Sequence, residues 1–425
     1  MQDLSGDRKL QNDTSEVLTT NFSVSPVHGA TFYPQKFETI VADRVFLVSG
    51  LEFTDYYFIV SANQQELIAI DAGTRPDFAK AAYEKLLENV PDVPKLSSVF
   101  VTHSHWDHVG GHTYFRQLNP DISFYGRDNF GEEIKIMEAG PGNEFTWFFG
   151  KSFDFANVQA YRPDVAINQR QSFDIGGTSF ETIPAPGSET PDAMFIYMPE
   201  ERLLFVGDFI MPFSGAPFIE EGSTDALVES IDLIDTINPK RLLHGHQPLT
   251  DFFAKPADTR ALKRHLTWLI AEARSLIKAG LTREEIDRQN LIPDSLLEDA
   301  KSQQFYLVMR EQVINRLFDQ AISYWEPELA GLDTLDTKTY GEFLSRYLAM
   351  DEDRAVELVN DIIKAGDYHL AERVLRWALA EWADSARLSV LQQRASLKLR
   401  KKYQNYNPFK FFLYSELANA PLSQF

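Results

Sequence analysis

The sequence predicts an α/β domain followed by an all-α domain. Two observations carry this. Up to about residue 250, short apolar runs of β type alternate with turns and helical stretches, and from residue 258 onward nearly everything has the spacing of amphipathic helix. The composition changes near Pro256. At 425 residues the chain is too long for one small core, so two domains are expected. We read residues 1–34 as a polar N-terminal extension, 35–255 as the α/β domain and 256–425 as the helical domain.

The elements follow in order. Residues 45–48, 56–60 and 67–70 read as strands, the last two separated by the polar turn of residues 61–64. Residues 76–88 have helical composition, and 99–102 form a strand that runs straight into a histidine cluster. Strands are expected at 179–183, 194–198 and 203–206, a helix at 227–237 and a strand at 241–243. Beyond Asp258, Leu262, Leu266, Leu269 and Ala273 recur at helical spacing. Thr282 followed three residues later by Glu285 is an N-cap signature, and Pro293-Asp294 opens the next helix. Residues 354–365, 368–382 and 386–403 read as helices in series, with Gly366 closing the first. Residues 325–336 read as one long irregular connection.

Composition narrows the function. The charge balance is 41 basic minus 62 acidic residues, a net −21. That excess argues against nucleic acid and anionic membranes, which need a positive footprint. The absence of cysteine excludes disulfides, thiolate catalysis and cysteine zinc sites. No run reaches the roughly 18 apolar residues of a membrane span. The first twenty residues have no apolar core of a signal peptide, so the chain as it stands reads as cytoplasmic. A periplasmic or secreted protein trimmed to its mature form would look the same.

The chemistry is concentrated in Thr102-His103-Ser104-His105-Trp106-Asp107-His108-Val109-Gly110-Gly111. Four ligand-type side chains lie within six residues, directly after a buried strand. Zinc takes imidazole nitrogens and carboxylate oxygens. On an extended loop His103 and His105 can chelate one metal, while Asp107 and His108 fall past a turn and can face a second. The plain alternative is a polar loop that is rich in histidine. Against it, six of the nine histidines sit in two short segments, 103–112 and 244–246.

The pattern His-x-His-x-Asp-His after a strand resembles the signature of the metallo-β-lactamase superfamily. The resemblance implies an αββα sandwich with a two-zinc site at its edge and three further ligands downstream. In the segment 184–194 most of the superfamily has His; here Glu189 stands at that place, which is similar to the alkylsulfatase branch. Asp208 ends the apolar strand Leu203-Leu204-Phe205-Val206-Gly207, where a buried carboxylate is costly unless paired or metal-bound. The superfamily places a metal-bridging carboxylate there, although alkylsulfatases usually carry Glu. The superfamily's Gly-His pair matches Gly245-His246, which makes His246 the last ligand and leaves His244 to support or packing. Asp71, after a strand in Ile70-Asp71-Ala72-Gly73, matches an aspartate that can fix the tautomer of a ligand histidine, or simply forms a turn. His112 is expected to cap or pack the helix after the motif.

The resemblance extends over roughly residues 35–420. Residues 278–286, 365–372 and 407–413 are similar to the alkylsulfatase dimerisation domain, which implies a homodimer. A sterol-carrier-like third domain is not expected, since the sequence stops at Phe425. Two departures stand out. The Arg and His that the branch carries between the bridging carboxylate and the last His are missing from residues 209–224. In place of a Tyr-Gly-Asn-type segment there is Phe149-Gly150-Lys151, in which Lys151 is either a cation for an anionic substrate or a surface lysine.

The expectation is therefore a hydrolase with two zinc ions per chain. It would act on a sulfate ester or related ester in a partly apolar small molecule, anionic or neutral. Asp107 or Asp208 would orient the attacking water. Lactonase, β-lactamase-like or phosphodiesterase activity on the same site is the alternative, and a non-catalytic metal-binding assembly protein is a third. Trp106, Phe145, Trp147, Phe148, Phe209, Phe213 and Phe218 are candidates for an apolar pocket wall, or for core.

Overall fold

Long apolar runs with no alternation call for strands covered on both faces, and two stacked sheets with outer helices provide that cover. The computed structural model describes residues 35–51, 54–130, 155–210, 222–247, 249–322, 335–403 and 408–420. Seven strands form the first sheet in sequence order: β1 (Lys36–Val41), β2 (Val45–Ser49), β3 (Tyr56–Val60), β4 (Leu67–Ile70), β5 (Leu96–Phe100), β6 (Ser123–Arg127) and β7 (Val165–Ile167). Pairing is antiparallel from β1 to β4 and parallel from β4 to β7. The second sheet contains β8 (Gln171–Ile175), β9 (Thr178–Pro184), β10 (Met194–Met198), β11 (Leu203–Gly207) and β12 (Arg241–His244), in the order β12-β11-β10-β9-β8.

Side-chain period fixes which face goes where. Val45, Leu47, Tyr57, Ile59, Ile68, Ile70 and Phe100 share one core with Phe180, Met194, Ile196, Phe205 and Leu243 of the second sheet. Their neighbours Phe46, Val48, Phe58, Ala69 and Val99 join a second core with Ala79, Ala82 and Leu86 of helix α1 (Pro76–Asn89). This is the αββα sandwich with helices outside both sheets.

Helices α2 (Trp106–Val109) and α3 (His112–Leu118) follow β5, and α4 (Phe155–Ala160) precedes β7. Helix α5 (Thr224–Ile237) lies between β11 and β12, and α6 (Leu249–Phe252) follows β12. The helical region opens with α7 (Pro256–Lys278), α8 (Arg283–Arg288), a 3-10 turn (Asp294–Glu298) and α9 (Ala300–Ile322). At α8 the capping box forms as the sequence predicts: Glu285 N–H donates to Thr282 Oγ1, and Thr282 N–H to Glu285 Oε2.

The chain forms two compact units, and the described residues divide between them at Ala321 and Ile322 rather than at residue 255, where the composition shifts. The reason is packing. Helix α7 is tied to α5 by Arg274–Asp225 and Arg260–Asp235 ion pairs, both 2.6 Å. Phe252 and Phe253 pack edge-on against Phe305 of α9. The Arg316 guanidinium, also on α9, is buried and donates to the Ser188 carbonyl at 3.4 Å. The second unit contains α10 (Thr337–Glu342), a π turn (Phe343–Tyr347), α11 (Glu352–Lys364), α12 (Tyr368–Glu381), α13 (Ala386–Tyr403) and α14 (Pro408–Leu417). It has its own core, built on Leu344, Val359, Ile363, Leu375, Leu388 and Ala395. Most of the irregular connection expected at 325–336 lies outside the described residues. No helix among the described residues is long and apolar enough to cross a membrane.

Candidate metal centre

Strand ends build the site. Asp71 follows β4, His103 follows β5, Glu189 lies in the loop after β9, Asp208 follows β11 and His246 follows β12. The strand expected at 99–102 ends at Phe100, because the Thr102 N–H is taken by Asp71 Oδ1 at 2.7 Å instead of a neighbouring strand. That bond frees the chain for the histidine loop. Glycine then permits the close return after α2: a Cβ at Gly110 would lie 1.8 Å from the Thr74 carbonyl oxygen, and one at Gly111 2.1 Å from that of Ala72.

Seven side chains converge as two groups. His103, His105 and Glu189 form one, and Asp107, His108, Asp208 and His246 the other. Six of the seven are buried below one-tenth exposure. In the first group His103 Nε2 lies 3.3 Å from Glu189 Oε2, and His105 Nδ1 lies 3.4 Å from Oε1. In the second, Asp208 Oδ2 is 2.7 Å from His246 Nε2 and 3.3 Å from His108 Nε2. Asp107 Oδ2 is 3.2 Å from His246 Nε2 and 3.6 Å from His108 Nε2.

The supporting contacts set the tautomers. His108 Nδ1 donates to Asp71 Oδ2 at 2.8 Å, and His103 Nδ1 to Thr102 Oγ1 at 3.1 Å. Thr102 Oγ1 in turn donates to Asp71. Both imidazoles therefore keep the Nε2 lone pair for the cluster. Asp71 is thus a turn residue as well as a support: its φ is +61°, and its carboxylate holds three groups. Thr102 was not singled out in the sequence.

His103 Nε2, both Glu189 oxygens and Asp208 Oδ1 are buried without a hydrogen-bond partner. Leaving such groups unsatisfied is costly. Within each of the two groups the ligand atoms lie within 4.8 Å of one another, the convergence that a nitrogen- and carboxylate-ligated metal requires, so each group fits a metal ion. Three carboxylates here need counter-charge. Burial works against protonating His108 and His246, but Asp208, Asp107 and, for His108, Asp71 outweigh it and hold both well above the usual histidine range. Burial opposes ionisation of Asp208, yet His246 and His108 hold it well below the carboxylate range. Burial and the neighbouring His108 and His105 push His103 well down. Burial lifts Glu189 to about 7, opposed by His105 and reinforced by Asp208. In the metal-free protein the imidazoles supply the counter-charge, and metal ions would displace those protons.

The remaining candidates fall outside the two groups. His244 is buried, donates from Nε2 to the Phe253 carbonyl at 3.1 Å and stacks on Phe209, and burial pushes it down to about 4. His112 meets the Asn157 carbonyl oxygen at 2.9 Å and packs on Tyr161. Phe209 is buried and Trp106 packs partly into the core. Lys151, Phe145, Trp147, Phe148, Phe213 and Phe218 lie outside the described residues.

Comparison with known proteins agrees with this geometry. Residues 49–246 match the metallo-beta-lactamase superfamily. The chain is 33% identical over 198 residues to a hydroxyacylglutathione hydrolase of Dictyostelium discoideum, covering 45% of this chain and 61% of that one. It is 20% identical over 341 residues to the alkyl/aryl-sulfatase BDS1 of Saccharomyces cerevisiae, covering 72% and 52%. The chain thus spans roughly half to three-fifths of the length of these curated relatives. Its fold matches the stereoselective inverting sec-alkylsulfatase Pisa1 from Pseudomonas sp. with a TM-score of 0.73 at 19% identity, over 90% of this chain and 66% of that one. Residues 49–246, with the strand-end residues they carry, thus match the metallo-beta-lactamase superfamily, on a fold shared with a sec-alkylsulfatase.

Proposed function

We propose that the chain is a zinc-dependent hydrolase that cleaves a sulfate ester or related ester of a partly apolar small molecule. The observation that carries this is Glu189, buried and aimed with His103 and His105 at one point, where an imidazole would be the commoner third donor. The relationship to an alkyl/aryl-sulfatase supports the same reading. His103, His105 and Glu189 would hold one ion, and Asp107, His108 and His246 the other. Asp208 would span both, since Oδ2 faces His108 and His246 while Oδ1 is left without a partner. Zinc pairs of this kind lower the pKa of water enough to supply a nucleophile near neutral pH and polarise the bond to be broken.

The chain's own groups do the rest. Asp107 and Asp208 are the ionised acceptors that orient the attacking water, and His246 holds both carboxylates in place. Asp71 and Thr102 keep His108 and His103 in the ligating tautomer. No protein nucleophile is required.

A second reading has an observation of its own. Asp208 departs from the usual alkylsulfatase Glu, and the 33% identity is to a hydroxyacylglutathione hydrolase, so a hydroxyacyl thioester is the competing substrate. The deciding experiment is turnover of the zinc-loaded protein on p-nitrophenyl sulfate, a secondary alkyl sulfate, p-nitrophenyl acetate, a lactone, a phosphodiester, nitrocefin and a hydroxyacylglutathione. We expect the sulfate esters to be turned over best. Activity on the thioester with none on sulfates would overturn the first reading in favour of the second. Purified protein with no bound metal and turnover indifferent to chelator would sink both.

We also propose that the chain forms a homodimer through its helical half. Phe343, Tyr347, Leu348, Leu370, Val390 and Leu397 of the second unit are exposed apolar side chains. A pair related by a two-fold axis would cover exposed apolar side chains of this kind symmetrically. Light scattering at micromolar concentration should give twice 48.5 kDa; a monomer would count against it.

A further inference from the structure

The two metal groups are supported differently. The first is steadied by the histidine loop and the loop around Glu189. The second gathers Asp107 and His246 from opposite sheets, and the step Thr54-Asp55, directly before β3, touches both. Thr54 Oγ1 donates to Asp107 Oδ2 at 3.4 Å, the same oxygen that faces His246 and His108. The Thr54 backbone pairs antiparallel with His246 itself. Asp55 N–H donates to the Gly245 carbonyl at 2.7 Å, and Gln247 Nε2 donates to Asp55 Oδ2 at 3.0 Å. His246 is thus bracketed on both sides by bonds to one dipeptide. Further along β3, the Tyr57 hydroxyl donates to the His244 carbonyl at 2.7 Å, which continues the clamp. Thr54 and Asp55 are buried almost completely, so no competing water loosens these bonds.

We propose that Thr54 and Asp55 are positioning residues for one metal group only, Asp107–His108–Asp208–His246, with Gln247 as their brace. The proposal rests on the reading that this group binds a metal. Groups that orient a ligand typically change metal affinity about 10–100-fold when lost. None of the bonds described above links these two residues to His103, His105 or Glu189. Their loss should therefore split the two affinities rather than lower both.

The test uses the full-length protein and zinc titration against a chromophoric chelator. Wild type is measured first, with two zinc ions expected per chain. Thr54→Val keeps the shape and removes the donor. It should weaken one site about 10–100-fold, leave the other unchanged and leave the thermal midpoint of the metal-free protein in place. Thr54→Ser restores the hydroxyl and should restore the weaker site. Gln247→Leu, at a partly exposed position, should move the same site in the same direction by less. Asp55→Ala, which removes the acceptor for Gln247, should weaken the same site, and Asp55→Asn, which keeps one, should restore it; equal zinc affinities in Asp55→Ala and wild type would overturn the role given to Asp55. Equal weakening of both sites in Thr54→Val, or two unchanged sites, overturns the proposal while leaving the hydrolase reading intact. Wild type with no zinc site overturns both.

Discussion

Gly245 shows how little room the ligand cluster leaves. A Cβ there would stand 2.3 Å from Asp208 Oδ1 and 2.7 Å from His108 Cε1. Both contacts are to side chains of the metal group, one of them an otherwise unpartnered oxygen. Gly245→Ala should therefore displace Asp208 or His108, lowering metal content and turnover by about 10–100-fold or more. Metal analysis after dialysis together with single-substrate kinetics checks it. Wild-type values would mean that Asp208 has freedom the packing denies. Glu189→Gln tests the other group. The amide keeps size but loses the charge that offsets a metal cation, so zinc affinity and activity should both fall by at least a similar factor. Wild-type metal content and turnover would return Glu189 to the role of a plain loop carboxylate. His103, His105, Asp107 and His108 are legible in the sequence because four such residues in one strand-end loop are unusual, and Asp208 because a carboxylate after an apolar strand is; Glu189 and His246 are legible only through the resemblance to the superfamily pattern. Thr54, Asp55 and Thr102 are not legible. They are common loop residues whose partners, the His103 neighbour of Thr102 aside, lie tens of residues away or more, and only the fold brings those together.

Strands and helices differ in how clearly they announce themselves. β2, β3, β4 and β10 are continuous apolar runs buried on both faces, and the sequence marks each within a residue. β1, β6 and β8 were not marked. Their sequences, KFETIV, SFYGR and QSFDI, are half exposed or interrupted by charge and glycine, so their strand state comes from pairing with a neighbour. The loop between β9 and β10 has a similar dependence. Ser223 N–H donates to the Gly187 carbonyl, Ser230 Oγ to that of Pro186, and Arg316 Nη1 to that of Ser188. Three bonds from α5, its N-cap and α9 therefore fix the loop that presents Glu189. A buried bond from a charged donor contributes about 1.5–3 kcal/mol. Arg316→Met should loosen this loop, weaken metal retention at the His103–His105–Glu189 group and speed amide exchange in residues 185–193. Exchange unchanged there, with full metal content, would show that the helix merely packs beside the loop. That dependence also explains why the compact unit runs on to Ala321 while the composition shifts near residue 256: α7 to α9 read as independent helices, yet they are pinned to the sandwich.

Whole-molecule stability should reflect where the candidate metal ligands are anchored. The first unit is built on the core between its sheets and the core under α1, and the strands of those cores carry the ligands at their ends. The second unit has a separate core of helical side chains and, among its described residues, holds none of the seven. Ions that bind only the folded state add RT ln(1 + [L]/Kd), about 4 kcal/mol when free metal exceeds Kd a thousandfold. Chelation removes that term from the first unit alone. It also leaves buried Asp107 and Asp208 balanced by protonated His108 and His246, a poorer counter-charge than divalent metal. Hydrogen exchange with and without chelator reads this by segment. Peptides from residues 96–118, 178–208 and 241–253 should exchange faster once metal is removed. Peptides from residues 352–403 should be unchanged. A uniform acceleration would mean that the two cores unfold as one, and no change in the first set would mean that the ligand cluster is held by the fold whether or not metal is bound.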